Sequence, residues 1–253
     1  MQELWMDGKK ICYEKHGRGT PIIFIHPPGM GRMVFREQKQ LCDRFQIITV
    51  DLSGHGDSDT RIERVTISIY TEEVLQLLNA LHIEQAVICG YSAGGSIAQE
   101  FAFTYPERTR ALILSGGYPL VSTSVIKTVH ILGIKLLPKQ SYFLSKVIST
   151  SHTKEPYFQQ QLKEHMNKAN PNVWRQFYKL SYHYDCREQL PSLRCPVLLL
   201  YGSKSDYINK YLSFYQKAVP HVQYHIIQQC THQLPTRRWK EFNEVVGEFV
   251  SRL

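Results

Sequence analysis

The chain has 253 residues, 43% hydrophobic and 21% charged, with a formal net charge of +8. This is the composition of an ordinary globular protein, enough for one domain with a sizeable core, and it leaves no low-complexity or disordered tract to account for. No apolar run approaches the roughly 18 residues of a membrane span, and residues 1–10 lack the basic-then-apolar order of a secretory signal, so a cytoplasmic protein is expected.

In chain order, residues 10–15 read as a strand closed by a Gly-rich turn, and 21–26 as a fully apolar strand stopped by Pro27, Pro28 and Gly29. An amphipathic stretch runs through Phe35 and Leu41 to a second apolar strand at 46–51 and a polar loop at 52–59. Residues 68–82 carry Ile69, Val74, Leu77, Leu78 and Leu81 at helical spacing. Further strands are predicted at 86–89, 111–115, 197–201 and 222–227, with a helix around 211–218 and an amphipathic closing helix over 237–253. Apolar strands alternating with amphipathic helices imply an α/β protein with a mainly parallel sheet covered on both faces.

Residues 120–190 break the alternation. They are helical in pattern and fall between two core strands, so the expected division is a core of 1–119 and 191–253 with a helical cap of 120–190 over the carboxyl edge of the sheet. The cap holds ten Lys/Arg and four acidic residues, and so carries +6 of the net charge. Because the cations are interspersed with apolar residues at helical spacing, they read as solvated helix faces, with attraction of an anionic substrate or an acidic surface the minority reading. Nucleic acid is not an expected partner.

The six cysteines (Cys12, Cys42, Cys89, Cys186, Cys195, Cys230) are scattered without C-x-x-C spacing, which points to free thiols and to no metal site. Cys89, inside a predicted strand, reads as a buried small hydrophobe.

The most informative stretch is 86–98. An apolar run leads into Gly90-Tyr91-Ser92-Ala93-Gly94, and Ile97, Phe101 and Ala102 then fall on one helical face. Glycines at 90 and 94 let strand and helix fold back closely, which would push Ser92 out at the tip of a strained turn with positive φ. A serine so placed is a candidate nucleophile; the plain alternative is an ordinary Gly/Ser loop. A serine hydroxyl needs a base, and the base needs an orienting acid. Among eleven histidines, His232 follows the last predicted strand, and Asp206 follows the strand at 197–201, so both lie beyond carboxyl ends of strands, as Ser92 does.

The order Ser92, Asp206, His232 is that of the α/β-hydrolase arrangement. Together with His26-Pro27-Pro28-Gly29 and Asp51-Leu52-Ser53-Gly54-His55-Gly56-Asp57-Ser58, it makes the chain resemble the α/β-hydrolase family, cofactor-free serine branch, over essentially its whole length. The resemblance implies a catalytic triad of Ser92, His232 and Asp206, no cofactor and no metal. It makes His26, His55 and Asp51 structural, and His183 and Asp185 at most pocket-lining. Oxyanion donors are expected at Ala93 N–H and in the loop after His26. There the family position falls on Pro28, which has no N–H; either Gly29 donates from a shifted loop or Ala93 acts alone.

The implied activity is hydrolysis of a small-molecule ester or thioester. Carbon–carbon bond hydrolysis and perhydrolysis on the same triad are enzymatic alternatives, and amide cleavage is a lesser one. An interfacial lipase would need an exposed apolar cap. A ligand-binding sensor with little turnover, the only reading that requires a protein partner, is the alternative of a different class.

Overall fold

The structure, a computed structural model, describes residues 1–6, 8–204 and 208–253, the side chains of 208 and 209 excepted. In chain order the elements are β1 (Gln2–Met6), β2 (Lys9–His16), β3 (Pro21–Ile25), a 3-10 segment (Arg32–Asp43), β4 (Gln46–Asp51), α1 (Ile67–Ala80), β5 (Ala86–Tyr91), α2 (Gly94–Thr104) and β6 (Thr109–Ser115). Then come α3 (Ser124–Leu136), α4 (Ser141–His152), α5 (Pro156–Met166), α6 (Pro171–His183), β7 (Val197–Gly202), α7 (Ile208–Ala218), β8 (Gln223–Ile227), α8 (Leu234–Arg237) and α9 (Trp239–Val250). The strands form one sheet in the order β1-β2-β4-β3-β5-β6-β7-β8. Only the β1–β2 and β2–β4 pairs are antiparallel; the rest are parallel, as strands joined by helical crossovers must be.

Side-chain alternation along the central strands divides the core in two. Ile23, Ile25, Ile88, Leu112, Leu114 and Leu199 point to the face covered by Val74 and Leu77 of α1, Ile97 and Phe101 of α2, and Tyr211 and Tyr215 of α7. Ile22, Phe24, Val87, Ile113, Leu198 and Leu200 point to the other, beneath Val34, Phe35 and Leu41 of the 3-10 segment and Phe242 and Val246 of α9. Burial on both faces explains why these strands read as continuous apolar runs. The fold is the expected α/β architecture, a mainly parallel sheet covered by helices on both faces.

Two elements differ from the sequence expectation. β1 was not legible, because this edge strand is largely exposed and carries no clean apolar alternation. The closing helix is interrupted at Arg238 (φ −129°, ψ 36°), which separates α8 from α9. The segment 120–190 leaves and rejoins the body at one point, where Leu120 bridges Asp185 and the Cys186 N–H donates to Pro119 O at 3.0 Å.

A buried ionic cluster ties that segment to the sheet. Asp51, at the end of β4, accepts from the Arg32 N–H (2.6 Å) and pairs with the Arg32 guanidinium and with His165 of α5 (2.9 Å). Arg32 also reaches Asp57 (2.9 Å) and Glu14 (3.1 Å), and Lys39 pairs with Glu14. Burial alone would raise the Asp51 and Glu14 carboxyls, but His165 and then Arg32 hold Asp51 below the usual range, and Lys39, His16 and Arg32 bring Glu14 to about 2. Arg32→Met leaves Asp51 buried without its guanidinium and is expected to cost about 3–5 kcal/mol at pH 7 by urea denaturation. A carboxyl depressed in the fold stabilises it above its unfolded value and ceases to as pH falls through its folded value. The gap between wild type and variant should therefore narrow as the pH drops below about 4.

Candidate active site

The turn between β5 and α2 is closely packed at the sheet's carboxyl edge. A Cβ on Gly90 would lie 2.6 Å from Gly95 Cα, and one on Gly94 2.3 Å from Ile25 O at the end of β3. With no side chains there, the backbone reverses in one residue, and Ser92 adopts φ 52° in the left-handed region that serine otherwise avoids. Its N–H donates to Ser115 O at 2.8 Å and its carbonyl accepts from the Gly95 N–H at 2.9 Å, so the strained residue is held from both sides. Ala93 sits at the amino end of α2, and its N–H has no acceptor among the described residues. Positive partial charge at a helix amino end favours a developing anion there.

His232 follows β8, and its Nε2 lies 2.6 Å from Ser92 Oγ. Burial, then His152 and His130, push its imidazole well below the ordinary histidine value, so it is neutral near pH 7 and able to take a proton. Asp206 lies outside the described residues.

A polar bracket that the sequence did not reveal surrounds the pair. The Tyr91 ring lies 5.4 Å from that of His232, and its hydroxyl meets His152 Nε2 at 3.0 Å. His152 Nδ1 faces Ile148 O at 2.8 Å, which makes Nδ1 the protonated nitrogen and Nε2 the acceptor. The carbonyl of His152 accepts from Thr236 Oγ1 at 2.6 Å, on the short helix just after His232. The end of α4 thereby touches both the turn of Ser92 and the loop of His232. Tyr118 and His130 of α3 repeat the arrangement, with Nε2 at 3.0 Å from the hydroxyl and Nδ1 at 2.8 Å from Ile126 O. No motif links a tyrosine to a histidine 61 positions away, so only the folded chain could show it.

His26 is fully buried and accepts from the Leu52 N–H through Nε2 at 3.1 Å while Nδ1 faces Pro27 O at 2.9 Å, bracing the loop that follows β3. In that loop Pro27, Pro28 and Met30 line the cavity beside Ser92 and Ala93. Gly29, at φ 79°, packs its Cα against Trp174 of α6, where a Cβ would lie 2.0 Å from the indole. His55 packs against His26 at 4.9 Å. The cluster of Asp51, Asp57 and His165 brings three possible metal-ligand atoms within 4.8 Å of one another, but the Arg32 guanidinium already bonds both carboxylates.

Above Ser92 and His232 opens a cavity of about 600 Å³. Its walls are Met30, Ile126, Leu144, Ile148 and Tyr178 with residues of α3 and α4, and Lys204 is the one charged side chain among the described residues lining it, with no carboxylate. His183 and Asp185, expected at most to line a pocket, are not among its walls; Asp185 pairs with Arg187 instead. Cys89 is buried within β5 and Cys230 beside the His232 loop, and burial raises both thiols.

The sequence matches the family described as "alpha/beta hydrolase fold" over residues 20–184. A Mus musculus protein named serine hydrolase BPHL is 25% identical to it, over 97% of this chain and 84% of that protein. Among solved structures, a thermophilic esterase from Thermogutta terrifontis superposes with a TM-score of 0.84 at 21% identity, covering 100% of this chain and 99% of that one. The enol-lactonase of Burkholderia xenovorans LB400 superposes with a TM-score of 0.86 at 18% identity, covering 99% and 100%.

Because the Ser92 turn depends on missing side chains, Gly94→Ala must displace the end of β3 or the start of α2. The expected cost is about 3 kcal/mol in chemical denaturation, the upper part of the range for overpacking. A loss below about 1 kcal/mol would show that the turn does not need this glycine.

Proposed function

The chain belongs to the α/β-hydrolase fold family and is a hydrolase, and from that premise we propose that it cleaves an ester or thioester of a small, apolar acyl group through an acyl-enzyme on Ser92. The observation that carries the reading is the 2.6 Å contact between His232 Nε2 and Ser92 Oγ on a turn strained to φ 52°. In the proposed sequence the Ser92 proton passes to His232 as Oγ bonds the carbonyl carbon. His232 then returns the proton to the leaving alcohol or thiol as the acyl bond breaks, and water deprotonated by His232 releases the acid. Asp206 is the proposed acid behind His232, on the strength of its place after β7.

Ala93 N–H is the proposed main oxyanion donor. In the loop after β3, Pro27 and Pro28 carry no N–H and that of Met30 donates to Pro27 O at 3.3 Å, which leaves Gly29 as that loop's candidate for a second. Residues 120–190 are read as a cap whose helices roof the acyl site, over a core of 1–119 and 191–253.

Ser92→Ala is expected to abolish both turnover of p-nitrophenyl esters and labelling by a fluorophosphonate, and Asp206→Asn to lower kcat by on the order of 10³–10⁴-fold. Persistent labelling of the Ser92 variant would reject the nucleophile. Across a series of p-nitrophenyl esters, kcat/KM should rise about fourfold per added acyl methylene, the equivalent of about 0.8 kcal/mol of burial each, until the cavity is filled. A flat or falling series from the acetyl ester onward would reject the apolar acyl site.

A further inference from the structure

Of the eleven large apolar side chains exposed among the described residues, seven lie on α3 and α4. On α3, Val125, Val129 and Leu132 follow one another at helical spacing with 48%, 47% and 49% of their surface exposed; on α4, Phe143 and Val147 are 54% and 47% exposed. Val125, Val129, Leu132 and Val147 also line the cavity over Ser92. Val125, Val129, Leu132 and Val147 are thus the lip of the cavity, and Tyr142 and Phe143 of α4 continue the exposed apolar surface beyond it. A lip meant only to meet water would carry polar residues outward, and a contiguous exposed apolar patch marks a contact surface.

The charge on the same two helices is of one sign. Between Arg108 and Lys154 the sequence has no acidic residue. Lys135 lies one turn beyond Leu132 on α3, Lys139 stands in the α3–α4 connection, and Lys146 adjoins Phe143 and Val147; all three are exposed and none is paired with a carboxylate among the described residues. Apolar side chains at the centre of a face with unpaired lysines at its margin match the interface of a bilayer that carries negative headgroups. The apolar groups enter the acyl boundary while the ammonium groups meet the phosphates. A soluble protein partner would need acidic groups and an apolar patch of fitted shape; a lipid surface offers both without shape.

We propose that the α3–α4 face docks on an anionic lipid surface and thereby sets the mouth of the cavity against the acyl chains of the membrane. The delivery of substrate rests on the hydrolase reading above. The docking itself does not, since it needs neither Ser92 nor His232.

The test is co-sedimentation of the full chain with vesicles of phosphatidylcholine alone and of phosphatidylcholine with 30% phosphatidylglycerol. Binding is expected only to the second, weakened by 0.5 M NaCl. Lys135→Gln/Lys146→Gln should bind about 25-fold more weakly, about fivefold for each lysine removed from the surface. Tyr142→Ser/Phe143→Ser, at two exposed side chains that do not line the cavity, should also lose binding while keeping wild-type turnover of soluble p-nitrophenyl acetate. Ser92→Ala should bind as wild type does, so a chain that docks without hydrolysing esters would retire the enzymatic reading and leave the docking intact. No sedimentation with anionic vesicles, equal sedimentation with both compositions, or a dimer in sizing chromatography that Tyr142→Ser/Phe143→Ser dissolves would each overturn the proposal, the last by naming a second copy as the occupant.

Discussion

Two missing Cβ atoms set the geometry on which the site rests. At Gly90 and Gly94 the strand β5, the helix α2 and the end of β3 approach so closely that any side chain would meet backbone. The closeness forces the chain to turn within a single residue, and that residue is Ser92, in a conformation that costs about 1–3 kcal/mol for a residue with a side chain. The energy is supplied by the buried layers on each side of the turn. The same contact that strains Ser92 also seats the amino end of α2 beside the loop after β3, so Ser92, helix terminus and loop are placed by one packing event.

Around this centre, polar groups are fixed by neutral and charged networks of different kinds. The neutral pairs Tyr91–His152 and Tyr118–His130 join the carboxyl edge of the sheet to α4 and α3, with each imidazole held uncharged by burial to about 4. The charged cluster of Arg32, Asp51, Asp57 and His165 joins β4 and the 3-10 segment to α5. Hydrogen bonds in an apolar surrounding are strong but costly when broken, so both networks specify where the helical segment sits more than how stable the whole is. Tyr91, His130 and His152 of the neutral pairs line the cavity, where Lys204 is the one charged side chain among the described residues.

The outer surface of α3 and α4 obeys a different constraint. Hydrophobic burial explains Ile126, His130 and Gly133 on the buried side of α3, but it does not explain Val125, Val129 and Leu132, which stand half-exposed at the mouth of the cavity. Those residues remain exposed although the chain has polar alternatives elsewhere on the same helix, and they coincide with the opening of the cavity.

Much of this was readable in the sequence, for a physical reason. Parallel strands buried on both faces must be apolar throughout, so β3, β4, β5 and β7 stand out as runs, and a turn that tolerates no Cβ must write its glycines at Gly90 and Gly94. The residues that follow carboxyl ends of strands share one edge of the sheet, which is why, of eleven histidines, His232 is the one the sequence places beside Ser92. Edge strand β1, exposed and unpatterned, left no such mark. Contacts between distant side chains were not written either: Tyr91 with His152, Gly29 against Trp174, and His165 on Asp51 depend on how the helices of 120–190 pack, and helical periodicity states which face is apolar without stating what it meets. Local backbone demands are encoded residue by residue, whereas the pairing of one face with another is decided only when the whole chain closes on itself.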